Sequence, residues 1–214
     1  FGSQPYYGIR KGQRFVLVNA LEAIDAPNEY FIDRVAGVVY FYAPLNGQTD
    51  AQKVASLNAG ARLTALDVNM VETLGTFDVT FENITFQNGR RGAAKIKNGA
   101  RVALKGCTFK RFNTNAVIVD YGYSHLVQSC DFSDLDEGAL VVYGGDRVNL
   151  VASGHIVVNC KFEDYSKLCR TYRPAISVHG VGNKVLNCRI ENAPHSGIVL
   201  HGNNNLVEKC EFSR

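Results

Sequence analysis

The sequence predicts an all-β fold: a right-handed parallel β-helix of about six rungs, preceded by a non-repeating N-terminal capping segment. Three observations predict it. A seven-residue pattern recurs six times, a second apolar segment precedes most copies, and glycine or asparagine punctuates the segments. We assign residues 1–60 to a hairpin and cap and residues 61–214 to the β-helix, which we expect to continue beyond this chain.

The repeated pattern carries a cysteine near its end and an aromatic or aliphatic residue two positions later. Its clearest copies read "LVEKCEF", "KVLNCRI", "IVVNCKF" and "LVQSCDF". The period is 22–23 residues with two insertions, and the shared position is occupied by Ile84, Cys107, Cys130, Cys160, Cys188 and Cys210. Equal positions of successive coils stack about 4.8 Å apart in a solenoid. We therefore expect five cysteines in one buried file, where a thiol acts as a small hydrophobe.

The upstream segments have the composition of short strands. They begin at a small residue, run through four to six apolar or β-branched residues and break at glycine, as in "AVIVDYG", "ALVVYGG" and "GIVLHGN". Two insertions flank the fourth rung, at 144–155 and 163–174, and inserted loops of a solenoid commonly form a wall over a binding face. Cys169 lies in the second insertion, away from the cysteine file.

The first 60 residues do not repeat. Residues 29–44 alternate around Val-Ala-Gly and predict a hairpin, and residues 18–27 allow one or two helical turns before Pro27. The open end of a solenoid exposes its core, so a capping role is expected for this segment. The last rung shows no cap, which leaves further rungs or end-to-end self-association as alternatives.

Charge and hydropathy exclude two classes of partner. The net charge is +3 and Lys and Arg form no run, so we expect no nucleic acid. No apolar run approaches the ~20 residues of a membrane span. The chain begins at Phe1 and its only methionine is Met70, which suggests processing or a fragment. Asn83-Ile84-Thr85 is a sequon, so we predict glycosylation at Asn83 and an extracellular protein.

Chemistry is expected in columns on the outer face of the upstream strands. One row, three positions before the first inward residue, holds Arg91, Thr114, Glu137, Arg173 and His195. A second row, three positions after it, holds Lys97, Asp120, Tyr143, His179 and His201. Between the rows lies a mostly apolar floor of Lys95, Ile118, Val141, Ser177 and Val199. An apolar floor with polar and aromatic walls suits a polysaccharide lying along the solenoid.

Roles follow from residue chemistry. We take Glu137 and Asp120 as candidate general acids or bases and Arg173 as a carboxylate or oxyanion partner. The candidate proton shuttles near neutral pH are His179, His195 and His201. A glycosidase needs two carboxylates at a defined separation, and these two fall on opposite rows. A metal site formed by His179, His201 and Asp120 is a minor alternative, so we predict neither a metal nor a cofactor. His125 and His155 occupy a separate column near a bend and are expected to be structural.

Several motifs together resemble secreted right-handed parallel β-helix repeat proteins related to pectate-lyase-like glycoside hydrolases and polysaccharide lyases. They are "ALEAIDAPNEYFIDRVAGVVYFYAP", "GGDR", "TYRPAISVHGVGNKV" and "NAPHSGI". The resemblance implies carbohydrate activity. It also implies that Asp146, Arg147, Tyr172, Arg173 and His195 act at the site or hold its loops. The cysteine file departs from the asparagine found at that position in many such proteins.

The expected function is therefore cleavage, by hydrolysis or otherwise, of an extracellular polysaccharide bound along the groove. Substrate contacts are assigned to Arg91, Tyr143, Asp146, Arg147, Tyr172, His179 and His201. The alternative is a non-enzymatic glycan-binding or matrix protein that uses the β-helix as a rigid scaffold.

Overall fold

The structure, a computed structural model, describes residues 8, 11–12, 17–44 and 47–213. The chain divides into two compact units, residues 1–61 and 62–214. Parts of the predicted cap, at residues 1–7, 9–10, 13–16 and 45–46, lie outside the described residues. The capping role of the first unit stays a prediction.

The first unit contains the expected hairpin. Strands β1 (Tyr30–Asp33) and β2 (Val38–Phe41) pair antiparallel, with Tyr30 opposite Phe41. The turn is held by the Asp33 carboxylate, which accepts hydrogen bonds at 2.9 Å from the backbone N–H groups of Val35 and Ala36. Ahead of the hairpin, a single 3₁₀ turn spans Leu21–Ala23, the shorter of the two helical lengths that the sequence allowed.

We did not predict the helix of the first unit, α1 (Asp50–Gly60). It begins with a reciprocal capping box, in which Thr49 Oγ1 accepts from the Gln52 N–H and Gln52 Oε1 accepts from the Thr49 N–H. This Thr-x-x-Gln spacing is a recognised start signal. No residue of α1 is buried, so the helix has no apolar stripe for periodicity to reveal.

The second unit is a parallel β-helix of six coils, each with three strands. The coils are β3 (Val71–Leu74), β4 (Thr80–Glu82), β5 (Thr85–Gly89); β6 (Ala94–Lys97), β7 (Ala103–Lys105), β8 (Thr108–Phe112); β9 (Val117–Asp120), β10 (Leu126–Gln128), β11 (Asp131–Ser133); β12 (Leu140–Gly144), β13 (Ile156–Val158), β14 (Lys161–Glu163); β15 (Ile176–Val181), β16 (Lys184–Leu186), β17 (Arg189–Glu191); and β18 (Ile198–Asn203), β19 (Leu206–Glu208), β20 (Glu211–Ser213).

Corresponding strands form three six-stranded parallel sheets. We call them sheet 1 (first strand of each coil), sheet 2 (second) and sheet 3 (third). In sheet 1, Leu140 pairs in register with Val117 on one side and Ile176 on the other, as the repeat alignment predicts. These three side chains are fully buried, whereas the residues that alternate with them face outward. The predicted number of rungs and their register are therefore confirmed.

The bend between sheets 2 and 3 explains why the repeat carries cysteine. The preceding residue is left-handed in every coil, with φ of 50–58°, and is Asn83, Gly106, Ser129, Asn159, Asn187 or Lys209. That conformation favours Asn and Gly and turns the next side chain inward. Each thiol of the file then donates to the carbonyl oxygen two residues earlier, at 3.3–3.5 Å.

The cysteine file is confirmed. Cys107, Cys130, Cys160 and Cys188 are buried, Cys210 in the last coil is half-buried, and all are free thiols. On sheet 3, four phenylalanines form a parallel file inside the core, with ring centroids 4.7–5.3 Å apart: Phe86, Phe109, Phe132 and Phe162. Both files arise because identical inward positions repeat with every coil.

Two loops lie at opposite ends of sheet 1, one within the fourth coil and one between the fourth and fifth coils. Loop A (145–155) connects β12 to β13, and loop B (164–175) connects β14 to β15. Loop B is anchored by Tyr165, which is buried and donates from its hydroxyl to the Ser196 carbonyl oxygen at 3.1 Å. Burial raises the pKa of Tyr165 to about 12. The loops thus frame the outer face of sheet 1.

Candidate functional site

A column of stacked rings runs across the outer face of sheet 1, at the carboxyl ends of its strands. The register pairs Lys97 with Asp120, Asp120 with Tyr143, Tyr143 with His179, and His179 with His201. The structure therefore confirms that the residues of the predicted second row are register partners on adjacent strands.

Within this row, the Tyr143 and His179 ring centroids lie 4.6 Å apart, and those of His179 and His201 lie 4.7 Å apart. Tyr121, the residue after Asp120, extends the stack with its centroid 6.3 Å from Tyr143. We call these four residues the ring column. Burial, followed by the charge of His201, lowers the pKa of His179, so its imidazole is neutral at neutral pH.

A cleft of about 860 Å³ opens beside the ring column, between sheet 1 and the turns that lead to sheet 2. Its walls include Phe77, Tyr121 and Tyr123, whose side chains are 60%, 54% and 56% exposed. Tyr143 and His179 complete the aromatic lining. Large aromatic side chains gathered on a surface mark a place where a ligand or partner binds.

Loop A contributes two predicted site residues to this cleft, Asp146 and Arg147. Asp146 pairs with Val151 in a short antiparallel bridge, and its carboxylate accepts from the N–H of Val148 at 2.8 Å and from the Asn149 side chain at 2.5 Å. The Asn149 hydrogen bond and those from the loop backbone lower the pKa of Asp146. We therefore assign its carboxylate to shaping loop A.

Arg147, the next residue of loop A, differs from Asp146 in its surroundings. Its side chain is exposed, and no carboxylate of the described residues lies within ion-pair distance of it. The cleft therefore combines an aromatic lining with one guanidinium whose charge is not compensated by a neighbour. A guanidinium of this kind suits a carboxylate or sulfate group.

The first predicted row lies at the amino ends of the strands, away from the cleft. There Arg173 Nε is 3.6 Å from Glu137 Oε2, and the Tyr172 and His195 ring centroids are 5.2 Å apart. His195 Nδ1 also lies 2.8 Å from Ser196 Oγ. The structure thus brings four predicted site residues together at the base of loop B.

Arg91, which we placed in the same row, pairs instead with Asp67, at 3.2 Å. Asp120, in the second row, pairs with Lys95 at 3.5 Å. Glu137 precedes Leu140 by three positions, whereas Asp120 follows the register partner Val117 by three. Six extended residues span about 20 Å, so these two carboxylates occupy opposite ends of the sheet.

The His125 and His155 rings stack inside the bend between sheets 1 and 2, with centroids 5.0 Å apart. Nδ1 of His125 accepts from the Val102 N–H and Nδ1 of His155 accepts from the His125 N–H, both at 3.1 Å. Asn205 Oδ1 accepts from the Asn183 N–H, two coils later in the same column. The structural role expected for both histidines is confirmed.

Asn83 lies exposed in the bend between sheets 2 and 3, with φ of 55°. Within the described residues, no three His, Cys, Asp or Glu side chains are arranged to hold a metal ion, His179, His201 and Asp120 included. In the same part of the chain, no helix is long and apolar enough to cross a membrane.

We did not predict three aromatic residues that line the cleft: Phe77, Tyr121 and Tyr123. The predicted columns contain only equivalent positions in and directly before the strands, whereas these three residues lie in the turns that follow the strands. The available signal was "DYGYS", two tyrosines placed around a glycine directly after a strand. Tyr121 has a left-handed backbone conformation, with φ of 64°. This conformation is uncommon for a bulky residue, so it distinguishes this turn from an ordinary one.

Comparison with known proteins adds the family. Residues 66–172, half of the chain, match the family model described as "Right handed beta helix region". No curated protein and no solved structure shows significant similarity to the chain. The matched residues include the first four coils with loop A, the ring-column residues Tyr121 and Tyr143, and most of loop B. The family match agrees with the parallel register of the three sheets, and the chain belongs to the right-handed β-helix family.

Proposed function

We propose that the β-helix binds a linear glycan in the cleft beside the ring column. The observation that carries this proposal is the unbroken line of four stacked rings, bordered by two more exposed aromatic side chains, Phe77 and Tyr123. Sugar rings have one apolar face that packs on an aromatic ring, and their hydroxyl edges need polar neighbours. Asn98 and the tyrosine hydroxyls supply such neighbours in the cleft.

The direction of the column favours a polymer over a small ligand. The rings succeed one another from coil to coil, so they follow the axis of the solenoid. A chain of sugars lying along that axis would meet one ring per coil. Arg147 would pair with an acidic substituent on such a chain, which supports an acidic polysaccharide as substrate class. The exposed sequon at Asn83 supports an extracellular location as part of the same proposal.

Removing a ring from the column should weaken glycan binding. We expect Tyr143→Ala and Tyr121→Ala each to raise the Kd about tenfold, because one aromatic contact contributes about 1–1.5 kcal/mol. The measurement is affinity electrophoresis of the whole chain against neutral and acidic polysaccharides, followed by calorimetry with the best binder at several salt concentrations.

Tyr30→Ala is the matched control, because Tyr30 is 59% exposed but belongs to the hairpin of the first unit. It should bind as the wild type does. Binding that is unchanged in Tyr143→Ala, or an absence of binding to every polysaccharide tested, would contradict the proposal.

Cleavage of the bound polysaccharide is the second candidate function. It is favoured by the cluster at the base of loop B, where Glu137 and Arg173 form an ion pair and His195 contacts Tyr172. A carboxylate next to a guanidinium can exchange a proton with substrate while the cation stabilises developing negative charge. A partner carboxylate for a glycosidase would have to come from elsewhere than Asp120, which lies at the other end of the sheet.

If the chain cleaves a polysaccharide, Glu137→Gln and Arg173→Ala should each lower the rate at which new chain ends form by at least about 100-fold. The assay measures reducing ends for hydrolysis and the ultraviolet absorbance of unsaturated products for elimination. Arg189→Ala is the control, since Arg189 pairs with Glu191 at 2.7 Å on sheet 3. Cleavage at full rate in both Glu137→Gln and Arg173→Ala would place the chemistry elsewhere. Binding without cleavage would leave the non-enzymatic alternative.

A further inference from the structure

A serine and a histidine share a short hydrogen bond on the outer face of sheet 1. Ser177 and His179 are two residues apart on β15, so their side chains project from the same face. Ser177 Oγ lies 2.8 Å from His179 Nε2, within the range of a strong hydrogen bond between a hydroxyl and an imidazole. From the sequence, we placed Ser177 only in the apolar floor between the two polar rows.

The imidazole of this pair is held in place by its neighbours. Its two faces stack on Tyr143 and on His201, with interplanar angles of 23° and 11°. A general base next to a serine is usually oriented by a third group, often a carboxylate. Here the two stacked rings restrict rotation of the imidazole and leave Nε2 directed at the hydroxyl. Burial and His201 lower the pKa of His179 and so favour the neutral imidazole. In its tautomer protonated at Nδ1, Nε2 is the nitrogen that accepts the serine proton.

The serine lies in an apolar strip. Its register partners on the adjoining strands are Val141 and Val199, and its side chain is half-buried between them. The valine side chains offer the hydroxyl no competing hydrogen bond. His179 lines the cleft, so a group attached to a ligand in the cleft can approach Ser177 from that side.

We propose that Ser177 and His179 form an acyl-transfer dyad that removes ester substituents, such as O-acetyl groups, from a ligand bound beside the ring column. Ser177 Oγ attacks the ester carbonyl carbon while His179 Nε2 takes the hydroxyl proton. The bond between the carbonyl carbon and the sugar oxygen breaks, and Nε2 returns its proton to that oxygen. Water then attacks the acyl-serine with His179 again as base, which releases the carboxylic acid and restores the hydroxyl.

The natural ester in this scheme rests on the proposed glycan binding, but the dyad can be tested without a glycan. The wild-type chain is treated with a fluorophosphonate probe, which forms a stable bond to activated serines, and the adduct is located by mass spectrometry. Hydrolysis of p-nitrophenyl acetate is measured in parallel. We expect one adduct, on Ser177, and ester hydrolysis above the buffer rate.

Ser177→Ala should abolish the adduct, and His179→Ala should slow labelling and hydrolysis at least about 100-fold, as expected for loss of a general base. Ser196→Ala is the matched control, because Ser196 Oγ lies at the same 2.8 Å from a histidine nitrogen, Nδ1 of His195. It should leave labelling unchanged. Circular dichroism confirms that each variant is folded.

Two outcomes overturn the dyad: an unlabelled wild type, or equal labelling of the wild type and His179→Ala. Glycan binding is measured separately by affinity electrophoresis. If the probe does not label the chain but glycan binding is intact, only the dyad proposal is wrong. If the probe labels Ser177 but no glycan binds, the proposed ligand is wrong and the dyad proposal stands.

Discussion

Replacing Gly180 by alanine is expected to remove a large part of the stability of the β-helix. Gly180 has φ of +113°, and a Cβ there would lie 1.7 Å from the Gly144 carbonyl oxygen of the preceding coil. Neither strand can move aside, because Gly180 is paired in register with Gly144 on one side and Gly202 on the other. We expect a loss of about 3 kcal/mol or more, or failure to fold. Urea denaturation followed by circular dichroism measures it.

Gly75→Ala separates the collision from backbone strain. Gly75 belongs to the same unit and is also left-handed, with φ of +60°, but nothing lies within 4 Å of an added Cβ. The free energy of unfolding of Gly75→Ala should fall by only about 1–2 kcal/mol, which is the cost of an alanine in the left-handed conformation. An equal loss in the two variants would show that the close approach of the coils at Gly180 contributes nothing.

Acid is expected to destabilise the β-helix through His155. Burial, and secondarily the charge of His125, lowers the pKa of His155 to about 3, against about 6.5 in an unfolded chain. Between pH 6.5 and about 3, His155 therefore stays unprotonated in the folded protein, whereas the same residue gains a proton in the unfolded chain. The contribution of His155 to the free energy of unfolding is fully present above pH 6.5. It is lost as the pH falls from 6.5 towards 3, at up to about 1.4 kcal/mol per pH unit. His125, whose pKa is also lowered by burial, adds in the same direction.

His155→Asn isolates this effect. Asparagine already occupies the column at Asn183 and Asn205, and Asn205 Oδ1 accepts the same kind of backbone hydrogen bond that His155 Nδ1 accepts. The variant keeps an acceptor and loses the titrating group. The free energy of unfolding, measured by urea denaturation between pH 7 and 4, should fall less steeply in the variant. Parallel curves for the two proteins would rule out His155 as the source.

The fold could be predicted because its determinants are local and repeated. A left-handed residue precedes the cysteine position in all six coils, and a small residue precedes the first strand of five of them. Each copy therefore supports the alignment of the others. Helix α1 occurs once and buries no face, so it left only the capping pair Thr49 and Gln52 as a signal.

The candidate site was predicted less completely. Alignment of the repeats correctly made Tyr143, His179 and His201 neighbours, because equal positions stack in a solenoid. It could not show that Asp146 is held within its own loop or that Arg91 pairs with Asp67, since both depend on how non-repeating residues turn. The three aromatic residues of the turns were missed for the same reason.

By itself, the sequence determined the β-helix, the number of its coils and the residues that share a column, because stacking converts a linear period into contacts between neighbours. Only the tertiary structure decided which columns become a site. The packing of turns and loops exposes Phe77, Tyr121 and Tyr123 around one cleft and directs Ser177 at His179. These contacts depend on side-chain rotation and loop path, which vary from coil to coil, whereas the strand register is the same in every coil.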